Sequence, residues 1–218
     1  MSSTPLEARS LGDSAVTIVF GTERSAKLLA RIHAAARSLE SAAIPHVEDV
    51  VPAYLALTVF YDSLHTTYDQ IATTILDACA QPAGGSGDAA PPRNHLIPVR
   101  YDGMDLDSVA SATGLSTAEV IARHSERAYT VDLLGFVPGF AYLSELDASL
   151  QLPRRSEPRP RVPAGSVAIA AGMTGVYPLD TPGGWHIIGH TGTVMFDPNR
   201  DPPALLRAGD TVQFERAK

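Results

Sequence analysis

The sequence predicts an α+β protein with two domains: a sandwich of the ferredoxin-like type, followed by a β-barrel. Three observations predict this organisation. Strand and helix periodicities succeed one another up to residue 80, a stretch without periodicity follows (QPAGGSGDAAPPR), and after residue 128 short apolar runs alternate with Gly, Pro and Asp. We therefore place the domains at residues 1–81 and 94–218, joined by a flexible linker at 82–93.

Residues 6–80 hold the pattern of the first domain. Its predicted elements are a hairpin around Gly12 and Asp13, a helix over 23–40 capped by Thr22, two strands within 46–61 interrupted at Pro52, and a helix starting at the capping pair Thr66 and Asp69. A strand, a helix, two strands and a helix in this order are typical of a split βαβ sandwich. Ile71, Ile75 and Cys79 recur on one helical face, so we expect Cys79 to be a core residue rather than a nucleophile.

The second domain is predicted to be mostly strand. Its expected elements are a strand at 95–100, a helix from Asp105 to Gly114, a helix capped by Ser116 and Glu119, a strand at 128–134, and apolar runs at 167–171, 185–188, 193–196 and 211–214. Many short strands separated by evenly spaced turns favour a closed barrel over a layered α/β sheet.

Composition excludes several classes of function. The net charge is −7, and Lys27 and Lys218 are the only lysines, so a nucleic-acid binder is not expected. The single cysteine, Cys79, excludes an internal disulfide and a cysteine-built zinc site. The N-terminal residues lack a signal-peptide pattern, and no apolar run approaches the roughly 18 residues of a membrane helix. We therefore expect a cytoplasmic protein that binds neither nucleic acid nor membrane.

Residues 153–192 form the candidate site. They combine four arginines with the only tryptophan and two histidines, among prolines and glycines that fix an irregular backbone. Guanidinium groups suit carboxylate or phosphate oxygens, although a charge run can also be a solvated surface. His186 and His190 are four residues apart, which on a strand is about 13 Å and too far for one zinc ion, but places both imidazoles on one face. A phosphate-binding Gly-Lys loop is absent, because neither lysine has a glycine-rich context.

Several longer motifs resemble a known family. They are LGFVPGFAYL at 134–143, PRR at 153–155, RPRVPAGSV at 159–167, YP at 177–178, TPGGW at 181–185, FDP at 196–198, PPALL at 202–206 and GDTVQF at 209–214. Together they resemble the family of the 5-oxoprolinase B subunit, also called KipI-like or allophanate hydrolase subunit 1. The likeness extends over nearly the whole chain and is strongest from residue 94 onward.

The resemblance implies a cyclophilin-like barrel and a hydrolase made of several subunits. In this family, the B subunit acts with a KipA-like C subunit and a lactam-utilisation A subunit in the ATP-dependent opening of 5-oxo-L-proline to L-glutamate. ATP is then expected at, or shared with, the partner subunit, with no metal in this chain and little activity of the chain alone. Two alternatives stay open: an allophanate hydrolase or urea-carboxylase-type carboxyltransferase subunit, and a KipI-like inhibitor of a sensor histidine kinase.

The family motifs also suggest site residues. The catalytic candidates are Arg155, Tyr177 and His186. The substrate-binding candidates are Arg154, Arg159, Arg161, Thr181, Gly183, Gly184, Trp185 and His190. His190 stands where relatives usually have arginine, so the permanent charge of that position is replaced by a titratable group.

Overall fold

The computed structural model describes residues 6–80 and 91–217; most of the predicted linker, residues 82–90, lies outside these ranges. The chain divides into two compact units, Met1–Pro91 and Pro92–Lys218. Both units mix helices and strands, so the α+β class is confirmed. No helix within the described ranges is both long enough and apolar enough to cross a membrane.

The first unit is a four-stranded antiparallel sheet with two helices. Its elements are β1 (Glu7–Ser10), β2 (Ala15–Val19), α1 (Ala26–Ala42), β3 (Val47–Pro52), β4 (Ala56–Tyr61) and α2 (Tyr68–Ala80). The strand order is β1-β2-β4-β3. A split βαβ sandwich places a strand that follows the second helix beside the first strand of the motif. In this unit β2 is the first strand of the motif, and its outer neighbour is β1, which precedes it in sequence. The turn at Gly12, whose φ is 67°, folds β1 and β2 into a hairpin and so makes them neighbours.

Both helices of this unit start later than the sequence predicted. Ser25, not Thr22, is the N-cap of α1, and its hydroxyl accepts a hydrogen bond from the Leu28 N–H at 3.1 Å. For α2, Thr67 and Gln70 form the capping pair: the Thr67 N–H donates to Gln70 Oε1, and the Gln70 N–H donates to Thr67 Oγ1. The predicted pair Thr66 and Asp69 was therefore wrong by one residue.

One apolar core joins these helices to the sheet. Its fully buried members include Ile18, Ile32, Leu57 and Ile75. Cys79 belongs to the same core and is only 4% exposed, which confirms its predicted structural place. Burial raises the pKa of its thiol to about 11, so the reactive thiolate is scarce at neutral pH.

The second unit contains two helices and nine strands in its described part. Its elements are β5 (Asn94–Val99), α3 (Leu106–Thr113), α4 (Thr117–Ser125), β6 (Ala128–Leu134), β7 (Ala141–Ser144), a 3-10 turn (Ala148–Leu150), β8 (Arg159–Val162), β9 (Ser166–Ala170), β10 (Met173–Val176), β11 (Thr181–Gly183), β12 (His186–His190) and β13 (Thr211–Arg216). The predicted capping box of Ser116 and Glu119 is present at the start of α4.

Seven of these strands form a nearly closed, barrel-like sheet in the order β12-β9-β10-β7-β6-β13-β5. The segment after β5 joins the two edges: Arg100 and His190 exchange backbone hydrogen bonds of 2.8 and 2.9 Å, and the Asp105 N–H donates to the Ile187 carbonyl at 2.9 Å. A Cβ on Gly103 would lie 2.3 Å from the Ile188 carbonyl carbon, so only glycine fits this seam.

Strand β9 is buried on both faces. Val167 and Ile169 belong to a large core that includes residues of α3 and α4, whereas Ala168 and Ala170 belong to a smaller apolar cluster. Because successive side chains of a strand point to opposite faces, the two cores lie on opposite sides of β9. The smaller cluster contains the candidate residues Tyr177 and Trp185, so β9 lies between these two side chains and the main core.

The predicted strand at 193–196 was wrong. In this segment only Phe196 forms a bridge, with Ala204. The guanidinium group of Arg200 donates to the carbonyls of Val194 and Met195, and also to those of Pro202 and Pro203. The carbonyls of Met195 and Pro203 also accept the N–H groups of Leu205 and Asp197, so backbone pairing exists here but is limited to a short bridge that Arg200 reinforces.

Candidate functional site

Two segments of the candidate region lie side by side. We call residues 153–161 the arginine segment and residues 177–186 the Tyr–Trp loop. Strand β8 pairs with β11, which sets Arg159 opposite Gly183. Before that pairing, the Arg155 N–H donates to the Gly184 carbonyl at 2.8 Å, and His186 Nε2 donates to the Pro153 carbonyl at 2.9 Å. The structure thus brings the two segments together along most of their length.

Asp105 is the residue on which the arginine segment converges. Its carboxylate Oδ1 accepts hydrogen bonds from Arg159 Nη2 at 2.6 Å and from Arg155 Nη1 at 3.3 Å. Its Oδ2 accepts one from the backbone N–H of Ile187 at 2.7 Å. Asp105 is only 4% exposed. These charge-assisted hydrogen bonds are therefore largely shielded from water, which strengthens their electrostatic attraction. Sequence analysis identified Asp105 only as the start of a helix and missed this role.

Each of the two arginines keeps one N–H group free. Arg155 Nε and Arg159 Nη1 are buried and have no hydrogen-bond acceptor among the residues that the structure describes. A buried donor without an acceptor costs about 1–3 kcal/mol. The side chains as a whole remain 33% and 19% exposed, respectively, so other atoms of both side chains reach solvent although these two donors are buried. This is the chemistry of an anion-binding pair.

The other two predicted arginines do not join this pair. Arg161 is 76% exposed and forms its ion pair with Asp180, through Nε at 2.8 Å and through Nη2. The Ala164 N–H and the Arg161 guanidinium hold the pKa of Asp180 below its usual range. Arg154 is exposed. Of the four arginines, the structure therefore gathers Arg155 and Arg159 on one carboxylate.

Tyr177 and Trp185 lie in the smaller apolar cluster. They are 2% and 4% exposed, and the Phe140 ring packs edge-on against both, with centroid distances of 5.3 and 5.5 Å. Burial raises the pKa of Tyr177, and this effect exceeds the opposing influence of the Trp185 backbone and of Arg154 and Arg159. Tyr177 is thus a neutral phenol at physiological pH, suited to donate a hydrogen bond rather than to accept a proton.

The two histidines do not share a face of β12. His186 is paired with Ile169 and His190 with Ser166, three residues apart on β9, because a bulge interrupts β12 between Ile187 and Gly189. The expectation of one common face was wrong for this reason. His186 is hydrogen-bonded to Pro153, while exposed His190 contacts the Ala164 carbonyl at 3.2 Å. Nowhere in residues 6–80 and 91–217 do three His, Cys, Asp or Glu side chains form a group able to hold a metal ion.

The remaining candidates border the paired strands. Thr181 is 9% exposed and its hydroxyl contacts the Pro182 carbonyl at 3.4 Å. A Cβ on Gly183 would lie 2.3 Å from the hydroxyl oxygen of Tyr177, whereas a Cβ on Gly184 would make ordinary contacts of 3.7 Å or more. Gly183 is therefore required by packing, which its sequence context did not show.

The fold and this arrangement define a carboxyltransferase-type domain. The chain belongs to the family described as carboxyltransferase domain, subdomain C and D, whose model matches residues 6–206. Among individual proteins it is similar to the 5-oxoprolinase B subunit of Bacillus subtilis (strain 168), with 41% identity over 220 residues, covering 94% of this chain and 90% of the relative. The 5-oxoprolinase B subunit of Escherichia coli O157:H7 is 56% identical over 121 residues, which cover 54% of this chain and 56% of that protein.

Solved structures agree with this placement. The crystal structure of TTHA0988 matches with a TM-score of 0.82 and 40% identity, over 94% of this chain and 40% of that one. This chain therefore corresponds to about two fifths of TTHA0988. The Kluyveromyces lactis urea carboxylase matches with a TM-score of 0.74 over 98% of this chain and 22% of that one, but at 15% identity the likeness shows a shared fold alone.

Proposed function

We propose that this chain is one component of an ATP-dependent amide hydrolase that opens 5-oxo-L-proline to L-glutamate in the cytoplasm. Similarity to the 5-oxoprolinase B subunit over nearly the whole chain supports this function. The structural observation that carries it is the Arg155 and Arg159 pair, which presents buried, unpaired N–H groups beside Asp105. Such a pair suits an anionic lactam.

The proposed partners are a KipA-like C subunit and a lactam-utilisation A subunit. The name of the relative, which makes it one subunit of 5-oxoprolinase, supports a complex of several chains. The 40% coverage of TTHA0988 supports a partner as well, because the matched part of that protein is joined to a longer stretch of chain. We propose that ATP binds at, or is shared with, the KipA-like partner.

The chemistry assigns roles to the residues at the site. An amide nitrogen is a poor leaving group, and ATP supplies the means to activate the lactam. We propose that Arg155 acts in catalysis by holding the substrate carboxylate, so that the lactam is oriented for reaction, and that Tyr177 donates a hydrogen bond to the negative charge that develops in the transition state. His186, whose Nε2–H is bound by the Pro153 carbonyl, is proposed to accept a hydrogen bond at the site through Nδ1. Arg159 is placed to bind the substrate with Arg155, while Arg154, Arg161, Thr181, Gly184, Trp185 and His190 are proposed to border the bound substrate.

We also propose a finer description of the fold. The first unit is a variant of the ferredoxin-like sandwich in which β1 replaces the final strand, which the order β1-β2-β4-β3 supports. The second unit is a cyclophilin-like barrel, which its nearly closed seven-stranded sheet supports. The domain limits are then 1–81 and 94–218.

Reconstitution tests the proposed function. The chain is co-expressed with the KipA-like and lactam-utilisation partners of its own organism, and ATP hydrolysis and glutamate formation are measured with 5-oxo-L-proline, urea and allophanate in parallel. We expect ATP hydrolysis that depends on 5-oxo-L-proline and on every component. Stimulation by urea or allophanate instead would favour the carboxyltransferase alternative, and full activity of the isolated chain would rule out a shared site.

A further inference from the structure

Asp105 occupies a helix-capping position without capping its helix. It is the N-cap residue of α3, where an aspartate normally accepts a hydrogen bond from the N–H of the second or third helical residue. No such bond forms here. Both carboxylate oxygens are instead engaged by the arginine pair and by the Ile187 N–H. The carboxylate therefore makes no helix-capping hydrogen bond and binds the two arginines instead.

The local charge at this point is small. The two guanidinium groups contribute two positive charges and the Asp105 carboxylate one negative charge, which leaves one net positive charge. A ligand with one negative charge neutralises that remainder. A ligand with two negative charges is attracted roughly twice as strongly by the net charge, but the cost of removing it from water grows roughly with the square of its charge. Because Asp105 keeps the net charge at one, the attraction does not offset that cost for a dianion as well as it does for a monoanion.

Asp105 also orients the donors. By accepting one N–H from each guanidinium through Oδ1, it fixes the two planar groups and leaves Arg155 Nε and Arg159 Nη1 unpaired. The second oxygen anchors this arrangement to the backbone of Ile187, beside His186. The arginine pair is therefore held by a buried group and does not depend on a ligand for its orientation.

We propose that Asp105 is a positioning and specificity-determining residue that selects a monoanionic carboxylate over a dianionic phosphate at the arginine pair. This inference rests on the proposed function, since it assigns the carboxylate of the lactam substrate to Arg155 and Arg159. It also predicts that the phosphates of ATP do not occupy the arginine pair.

The test compares anions in the assembled complex and in the chain alone by titration calorimetry at pH 8. The probes are 5-oxo-L-proline, its uncharged analogue 2-pyrrolidone, and inorganic phosphate. We expect wild type to bind 5-oxo-L-proline about tenfold or more tightly than either of the others. In Asp105→Asn, the net charge rises and phosphate affinity should increase about tenfold relative to that of 5-oxo-L-proline.

Asp147→Asn is the matched control. Asp147 also faces two arginines, Arg123 at 3.6 Å and Arg127 at 3.0 Å, but their side chains are each 41% exposed. We expect this variant to leave both affinities within about twofold of wild type, since exposed ion pairs contribute little. A change in selectivity equal to that of Asp105→Asn would show a general charge effect and would overturn the proposal.

A second variant keeps the proposal testable if Asp105→Asn does not fold, which Trp185 fluorescence would reveal. Arg155→Gln reduces the net charge to zero, so 5-oxo-L-proline should bind about tenfold more weakly without any gain for phosphate. An unchanged anion preference in either folded variant, or no anion binding by wild type in either form, contradicts the proposal.

The same proteins distinguish this inference from the proposed function. Acetate against phosphate gives the monoanion comparison without a lactam. If acetate shows the expected selectivity while the complex fails to hydrolyse 5-oxo-L-proline, the proposed function is wrong and the role of Asp105 stands. If the complex is active but the selectivity does not depend on Asp105, the proposed function stands and the role of Asp105 is wrong.

Discussion

Gly183 lies directly against the hydroxyl group of Tyr177. A Cβ added to Gly183 would be 2.3 Å from the Tyr177 hydroxyl oxygen and 2.8 Å from two of its ring carbons. Since the Tyr177 ring is 2% exposed and in contact with Phe140, it has little space to move away. The pairing of β8 and β11 therefore depends on a residue without a side chain at this position.

Gly183→Ala should lower the free energy of unfolding of the second unit by about 1–3 kcal/mol, because the added methyl group overpacks a dense cluster. The measurement is urea unfolding followed by the fluorescence of Trp185, the only tryptophan of the chain. Gly192→Ala is the control, since a Cβ there has no atom within 4 Å. Equal stability of the two variants would contradict the packing argument.

The seam of the barrel-like sheet should be more sensitive still. In Gly103→Ala the new Cβ would lie 2.3 to 2.4 Å from backbone atoms of Ile187, Ile188 and Gly189, which cannot rotate aside. We expect a loss of about 3 kcal/mol or more. Hydrogen exchange should show faster exchange at the amides of Asp105 and His190, whose bonds cross the seam. Protection of these amides at the wild-type level would show that the seam tolerates a side chain.

Buried His124 should make the second unit less stable in acid. The Thr174 hydroxyl donates to the Ala168 carbonyl, so it accepts from His124 Nε2–H, and Nδ1 accepts from the Tyr101 hydroxyl at 2.7 Å. Burial lowers the pKa of His124 from 6.5 to about 3. The folded chain therefore contains neutral His124, whereas His124 of the unfolded chain is protonated at a higher pH.

The stabilisation is therefore complete above pH 6.5 and is lost as the pH falls from 6.5 towards 3. Within this window the slope should be about 1.4 kcal/mol per pH unit more than in His124→Gln, which has no titrating group. The measurement is urea unfolding at several pH values with Trp185 as the probe. Equal slopes for wild type and His124→Gln would contradict the assignment.

Local patterns predicted much of the fold. The capping box of Ser116 and Glu119 and the buried face ending at Cys79 involve residues three or four apart, and both were predicted correctly. The caps of α1 and α2 were placed wrongly because suitable residues stand close together: Ser25 follows Thr22, and Thr67 follows Thr66. Spacing alone does not choose between such neighbours.

Long-range contacts account for what the sequence did not reveal. Asp105 meets Arg155, Arg159 and Ile187 across 50, 54 and 82 residues, and no motif connects such distant positions. The bulge in β12 likewise depends on its register with β9. Local composition and family motifs were sufficient to name the candidate residues. Only the fold shows which of them, Arg155 and Arg159, bind the buried Asp105 carboxylate and which, such as Arg161, lie at the surface.

Cys79 should react slowly with thiol reagents in the native chain. It is 4% exposed, and burial raises its pKa to about 11, so both access and thiolate content are low. At pH 8 we expect a rate on the order of one hundredth or less of the rate in urea-unfolded chain. Absorbance of the released thiol dye gives both rates, and Cys79→Ser provides the blank. Similar rates in the two states would mean that α2 opens readily.

The arginines should differ in their importance for turnover in the reconstituted complex. Arg155→Ala is expected to lower kcat/KM tenfold or more, a loss of about 1.4 kcal/mol of transition-state stabilisation. Arg159→Ala removes the shorter bond to Asp105 and should cost a similar amount, whereas Arg161→Ala should cost less because Arg161 pairs with Asp180 at the surface. Arg127→Ala, which breaks an exposed pair with Asp147, controls for loss of a surface charge. A larger loss in Arg161→Ala than in Arg155→Ala would move the site away from Asp105 and towards Asp180.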